Sequence, residues 1–313
     1  MEKEVKMPSI KELCKESELF SSGHRACTGC GEVLAVRQIL LAAIKPVVCV
    51  MPTGCLEIVS TIYPHTAWQV PMFHNAFENA AATISGVEAA YNTFKRKGEI
   101  KENINFIAFG GDGGTYDIGF QALSGAVERN HRFLYVCLDN QAYMNTGVQR
   151  SSATPMGAHT TTSPAGKIKP GKVQWRKDIV EIMIAHDIPY AAQATVSNWN
   201  DLSNKVRKAL SVQGSSFLNV LVPCPLGWGY PSAKAIEYAK LAIETCFWPL
   251  YECENGVYKL NYTPKERKPI TDFMKGQDRF RHLFKEENKQ LVETFQQEID
   301  KRWDKLVKKQ FNN

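Results

Sequence analysis

Residues 104–155 read INFIAFGGDGGTYDIGFQALSGAVERNHRFLYVCLDNQAYMNTGVQRSSATP, and this stretch decides the fold. An apolar run over 104–109 predicts a buried strand, and it ends in Gly110-Gly111-Asp112-Gly113-Gly114. A helix-period stretch follows, then a second apolar run over 133–138 that ends in Asp139-Asn140. Strand, helix and strand in this order form a parallel unit, so two strand ends each present an oxygen-bearing side chain, Asp112 and Asn140. In open α/β sheets, ligands sit at the carboxyl ends of the strands. Glycines let the backbone approach a phosphate, and the following helix N-terminus favours an anion. Asp and Asn oxygens are hard donors that suit Mg²⁺, which bridges to phosphates. The local chemistry is that of a Mg²⁺–diphosphate site. A glycine-rich turn alone is equally well read as a tight turn. It is no P-loop, because no Gly-Lys-Ser/Thr follows, and it is not GxGxxG. Asn140, 28 residues beyond Asp112, is what favours the ligand site.

Outward from this stretch, strand and helix patterns keep alternating. Strands are expected over 47–51, 190–195 and 217–222, and helices over 33–44, 78–94, 176–186 and 199–212. The predicted fold class is α/β, a mainly parallel sheet with helices on both faces. Residues 1–22 are polar and mixed, which suggests a surface segment, and 63–75 is turn-rich. Residues 146–172 form a Ser/Thr/Gly/Pro loop of a length that is usually functional or disordered. From 233 onward the pattern changes to a helix, a hairpin around Asn255-Gly256 and a charged helical tail. The expected division is therefore a ligand-binding domain over 1–232 and a C-terminal extension over 233–313. Leu291, Phe295, Ile299, Trp303 and Leu306 make one apolar stripe on the tail helix. The stripe suits packing on its own subunit or an arm that grips a partner.

At 313 residues the chain can bury a large core. Its 38 Lys/Arg against 32 Asp/Glu give a net charge of +6. The tail from Lys265 carries 13 Lys/Arg and 9 Asp/Glu, too mixed for a nucleic-acid arm. There is no N-terminal apolar leader and no run of about 18 apolar residues. A soluble, cytoplasmic protein with no membrane or nucleic-acid partner is expected.

Nine cysteines without a leader favour metal binding over disulfides. Cys27-x-x-Cys30 alone fits a redox dithiol, half a zinc site or half an iron–sulfur site. No second CxxC is present. Cys55 in PTGC and Cys224 in PCP fall in turns at strand ends, on the same sheet edge as Asp112 and Asn140. Four thiolates suit either Zn²⁺ or a [4Fe–4S] cluster. Cys14, Cys49, Cys137, Cys246 and Cys253 read as small buried hydrophobes. His24, His65 and His74 are candidate acid–base groups, although a turn histidine is more often structural. Arg150 is a candidate for meeting an anion or for a solvated surface charge.

GDG followed by Asn140 resembles the thiamine-diphosphate motif. The fuller wording, GDGGTYDIG and then DNQAYMNTGVQRSSATP, resembles the β subunit of the pyruvate:ferredoxin oxidoreductase family, and the likeness covers nearly the whole chain. The resemblance implies thiamine diphosphate, Mg²⁺ and one [4Fe–4S] cluster. It assigns the cluster to Cys27, Cys30, Cys55 and Cys224, with Cys55 also against the cofactor. It assigns cofactor contact to Glu32, the diphosphate loop to Gly111, Asp112, Gly113 and Gly114, and the remaining Mg²⁺ ligands to the Asn140 side chain and the Ala142 carbonyl. Asn145 matches an active-site Asn near the thiazolium and the substrate. Where many thiamine enzymes have Asn-Asn, this chain has Asn140-Gln141; only the first position supplies a ligand. The implied activity is oxidative decarboxylation of a small 2-oxoacid with electrons passed to ferredoxin. Neither a pyrimidine-binding half with its Glu nor a CxxCxxCxxxCP ferredoxin run is present. The resemblance therefore implies alpha or gamma and ferredoxin-like delta partner subunits, in a dimer of heterotrimers or heterotetramers, and a chain inactive alone. Pyruvate ranks first as substrate, oxalate (the sister oxalate oxidoreductase, without coenzyme A) second and branched-chain 2-oxoacids third. The non-enzyme alternative is a zinc-stabilised α/β binding subunit.

Overall fold

The computed structural model describes residues 9–43 and 46–311. Among them, eight strands join in one sheet: β1 (Val47–Pro52), β2 (Met72–Asn75), β3 (Asn105–Gly111), β4 (Leu134–Asp139), β5 (Tyr190–Thr195), β6 (Ser216–Leu221), β7 (Tyr251–Glu254) and β8 (Val257–Leu260). Their order is β2-β1-β3-β4-β6-β5-β7-β8. The first six are parallel, while β7 runs antiparallel to β5 and β8 antiparallel to β7.

The central strands are buried on both faces, which is why they read as mainly apolar runs, and the polar side chains within them, such as Gln193 and Asn219, are hydrogen-bonded. On one face Met51, Phe109, Val136 and Leu218 pack under the helices Gly31–Ala42 and Trp199–Ser211. On the other, Val50, Ala108, Tyr135 and Phe217 pack under the helices Ala80–Arg96, Phe120–Glu128 and Ile179–Ile184. A third cluster, with Trp228, Trp248, Phe273, Phe280 and Phe295 at its centre, closes the C-terminal part. No helix among the described residues is long and apolar enough to cross a membrane.

Several elements depart from the sequence expectation. The turn-rich stretch 63–75 contains β2, a short edge strand whose residues are only partly buried and so carry no apolar signal. Leu13 and Phe20, in the segment expected at the surface, are buried in the first core. The helix expected over 33–44 is Gly31–Ala42, and Ile44 lies outside the described residues. The chain after Gly113 first makes a π-helical turn, Gly114–Ile118, closed by Gly119 N donating to Gly114 O at 2.8 Å. Such wide turns cluster at functional sites. The helix expected over 176–186 shortens to Ile179–Ile184 behind an Asp178 cap.

The hairpin turns at Asn255 and Gly256, both with positive φ (49° and 83°), as a two-residue hairpin requires. It extends the main sheet beside β5. Of the two uses open to the tail stripe, packing on its own chain is the one seen: Phe295, Ile299, Trp303 and Leu306 are buried.

Candidate active site

Four strands that are consecutive in the sheet, β1, β3, β4 and β6, end at one edge because they are parallel. Their continuations carry Cys55, Asp112, Asn140 and Cys224 in that spatial order. Cys55 opens the short helix Cys55–Ser60, and Asp112 directly follows Gly111. Asn140 directly follows Asp139, and Cys224 caps the turn Pro225–Trp228.

The remaining pieces are pinned to this edge by backbone. Gly31 N donates to Pro223 O at 3.2 Å, so the CTGCGE turn lies along the PCP turn. A Cβ at Gly31 would stand 2.8 Å from both Val222 C and Pro223 N. Only glycine permits that approach. Glu32 then reaches inward: its Oε1 accepts from Asn140 Nδ2 at 2.6 Å, and the Leu56 backbone N–H also bonds its carboxylate. One carboxylate thus ties the CxxC helix, the Cys55 turn and the end of β4 together. Burial pushes its pKa up to about 7.

Asp112 is 1% exposed. Its Oδ2 accepts from the Ser151 hydroxyl, and its Oδ1 is buried with no partner among the described residues. Burial, and then the charge of Asp139, hold its pKa well above the usual carboxylate range. Buried polar atoms are normally satisfied, so an orphaned carboxylate oxygen beside a glycine turn marks a place for a cation. Gly111 has open space where a Cβ would be, while Gly113 is backed by the Tyr143 ring and Gly114 by Phe77. The turn is therefore closed behind and free at Gly111. Asn140 Oδ1 accepts only the long Ala142 N–H bond of 3.3 Å, and Asn140 O is held by Trp228 Nε1 at 2.8 Å. These donors fit Mg²⁺ and a diphosphate.

The four cysteines share one electrostatic neighbourhood: Cys55 feels Cys224, Cys30 and Cys27, and Cys224 feels Cys27. Burial pushes the Cys30 thiol up to about 12, Cys224 up to about 11 and Cys55 higher still. Glu32 adds to all three. A cationic metal core reverses that penalty, because coordinated thiols deprotonate. Among the described residues no three His, Cys, Asp or Glu side chains gather at the spacing of a single ion. Four thiolates are a donor set that suits an iron–sulfur cluster.

Other groups were not legible in the sequence. Beneath Asn140, Asp139 accepts from Tyr116 at 2.7 Å and from Arg176 at 2.9 Å, and Asn219 donates to Tyr116 at 2.8 Å. Gln141 is fully buried at φ 72°, with both amide atoms unpartnered. The RSSATP segment folds over the turn. Besides Ser151, Ser152 N bonds Asp117 at 3.0 Å and Thr154 bonds Gln141 O at 2.7 Å. Lys172, buried, donates to the Ser151, Ser152 and Thr154 carbonyls. The available signal was the three hydroxyl residues Ser151, Ser152 and Thr154.

Asn145 lies three residues beyond Ala142 in an exposed turn. Arg150 is also exposed. His24 stacks on Phe20 and its Nδ1 accepts from Ala26 N at 3.4 Å, which is a structural role. His65 is exposed, and His74 bonds the Met51 carbonyl at 3.3 Å. A cavity of about 420 Å³ lies elsewhere, between Trp175, Tyr251 and the tail helix. None of the edge residues above lines it, so chemistry, not size, locates the site.

A family model described as "Thiamine pyrophosphate enzyme, C-terminal TPP binding domain" matches residues 52–220, from the end of β1 to β6. The chain is 50% identical over 310 residues to pyruvate synthase subunit PorB of Thermotoga maritima, covering 96% of this chain and 95% of the relative. It is 53% identical over 287 residues to PorB of Methanocaldococcus jannaschii (91% and 95% covered). It is 44% identical over 293 residues to ketoisovalerate oxidoreductase subunit VorB of Pyrococcus furiosus (93% of each). A solved 2-oxoglutarate:ferredoxin oxidoreductase from Magnetococcus marinus shares the fold, with a TM-score of 0.55 at 18% identity over 72% of this chain and 81% of that one. The chain belongs to the thiamine pyrophosphate enzymes, as an oxidoreductase subunit of the 2-oxoacid:ferredoxin oxidoreductase family alongside PorB and VorB.

Proposed function

We propose that this chain is the β subunit of a hetero-oligomeric 2-oxoacid:ferredoxin oxidoreductase that holds thiamine diphosphate, Mg²⁺ and the proximal [4Fe–4S] cluster, with pyruvate the first-ranked substrate. The observation that carries it is the shared sheet edge. Four successive strand ends present Cys55, Asp112, Asn140 and Cys224, with a buried Asp112 oxygen left without a partner. Asp112, the Asn140 side chain and the Ala142 carbonyl would hold Mg²⁺. Gly111, Gly113 and Gly114 would admit the diphosphate. Glu32 orients Asn140 and lines the cofactor side, and Asn145 stands where substrate would arrive. Cys27, Cys30, Cys55 and Cys224 would hold the cluster. When bound, thiamine diphosphate supplies the carbanion that cleaves a 2-oxoacid next to its carboxylate, and the cluster takes up the electrons released. Having both groups at one edge keeps that transfer short.

The second half of the site would come from partner subunits, and residues 233–313 would provide contacts to them through the exposed face of the tail helix. Ferredoxin would be the acceptor, in the cytoplasm. The PorB and VorB names favour a 2-oxoacid over oxalate. The test is turnover by the purified complex with pyruvate, branched-chain 2-oxoacids and oxalate, with and without coenzyme A. Coenzyme-A-dependent ferredoxin reduction by pyruvate is the expected result. Coenzyme-A-independent oxidation of oxalate would reassign the substrate. Anaerobically purified protein that is colourless and carries zinc in place of iron would sink the cluster assignment.

A further inference from the structure

Two buried polar residues behind the Cys224 turn each leave an atom without a partner among the described residues. Arg279 is 5% exposed. Its Nε donates to Gln277 Oε1 at 2.8 Å, its Nη2 has no partner, and no carboxylate among the described residues lies within ion-pair distance. Its guanidinium lies 3.9 Å from the centre of the Trp228 ring and 4.7 Å from that of Phe280. Trp228 and Tyr230 belong to the turn that follows Cys224, their rings 5.9 Å apart. The Tyr230 hydroxyl is the second buried group without a partner. Burial pushes Arg279 down to about 9, so it stays cationic at neutral pH, and the ionisable groups it interacts with are Tyr230, Cys224 and, less strongly, Asp139, which is itself ion-paired with Arg176. Burial and then Cys224 push the Tyr230 hydroxyl up.

A buried guanidinium with no anion is unfavourable on its own. Stacking on Trp228 accounts for its position but leaves its charge unbalanced. The turn that Arg279 stacks on is capped by Cys224, one of the four candidate cluster ligands. A cluster held by four thiolates is anionic and gains one more negative charge on reduction, and net charge nearby is one of the levers on its potential.

We propose that Arg279 is the built-in counter-charge of the centre held by Cys27, Cys30, Cys55 and Cys224, and that it eases reduction of that centre. The inference rests on the cluster reading above. The electron involved comes from the oxidised 2-oxoacid and leaves to the iron–sulfur acceptor, so Arg279 changes the equilibrium of the transfer without taking part in it. It is a positioning residue and touches no substrate.

The experiment is a dithionite titration of the proximal cluster in the intact complex, followed by EPR, for wild type, Arg279→Met and Arg279→Lys. Arg279→Met, which keeps the stem and loses the charge, is expected to lower the equilibrium constant for reduction about tenfold, a shift of ~59 mV to more negative potential. Arg279→Lys is expected to stay near wild type. An Arg279→Met complex with full iron and an unchanged potential would overturn the proposal. Should Arg279→Met fail to load iron, Arg279→Lys decides. Iron loading with a wild-type potential in the Lys variant supports the counter-charge, whereas equal failure assigns Arg279 to shape alone and overturns it. A wild-type complex without iron would instead refute the cluster reading on which the inference stands.

Discussion

Asp112 concentrates the chemistry at the residue scale. It sits in the interior with one oxygen satisfied by Ser151 and the other by nothing, close to a second carboxylate, Asp139. Without a cation this is an unfavourable arrangement, and a divalent ion relieves it. Asp112→Ala is expected to keep the iron and the fold but lose Mg²⁺-dependent thiamine diphosphate binding. Ser151→Ala, which removes the partner that aims Asp112, is expected to weaken that binding about 10–100-fold. Calorimetric titration of the cofactor at fixed Mg²⁺, beside an iron assay, measures both. Unchanged affinity in Asp112→Ala would remove Asp112 from the ligand set.

At the scale of elements, the site depends on two turns lying against each other. The CTGCGE turn (27–32) and the PCP turn (223–225) are far apart in the chain, yet Gly31 seats one on the other with backbone at 2.8 Å from a hypothetical Cβ. Gly29 makes a similar approach at φ 77°, where a Cβ would meet Ser232 O at 2.5 Å. Backbone atoms give way far less readily than side-chain ends. Gly31→Ala is therefore expected to push Cys27 and Cys30 away from Cys224 and reduce iron well below the ~4 atoms per chain of a full cluster. Circular dichroism near the wild-type spectrum should accompany the loss. Full iron occupancy in this variant would show that the two turns do not have to meet.

On the scale of the whole molecule, the C-terminal hairpin is tied into the sheet by Glu252. It accepts from Tyr190 at 2.6 Å across the β5–β7 seam and from Lys208 at 2.8 Å on the helix above. Burial alone would raise its pKa, but the bonds from Lys208 and Tyr190 outweigh it and hold it below the ordinary glutamate value. A depressed folded-state pKa contributes stability that is present above about pH 4.5 and lost as the pH falls through the folded value. Glu252→Gln is expected to cost about 1.5–3 kcal/mol near neutrality, and to flatten the acid limb of the stability curve below that pH. Urea midpoints measured between pH 3 and 7 check this. An unaltered acid limb would place the acid sensitivity in other carboxylates.

The amino-acid sequence by itself determined the alternation of strands and helices, because β3 to β6 are buried on both faces and so are mainly apolar. It also determined the Asp112–Asn140 spacing and the four candidate cysteines, since turns at strand ends are punctuated by Gly and Pro. The edge strand β2 stayed hidden because half-exposed residues leave no periodic signal. The π-turn after Gly113 stayed hidden because it is set by a backbone bond between two glycines. Only the tertiary structure decided which groups meet: Glu32 with Asn140, Ser151 with Asp112, Arg176 with Asp139, and Arg279 behind Cys224. Those contacts join residues far apart in the chain, and their partners are fixed by the order of the strands, which no local pattern encodes.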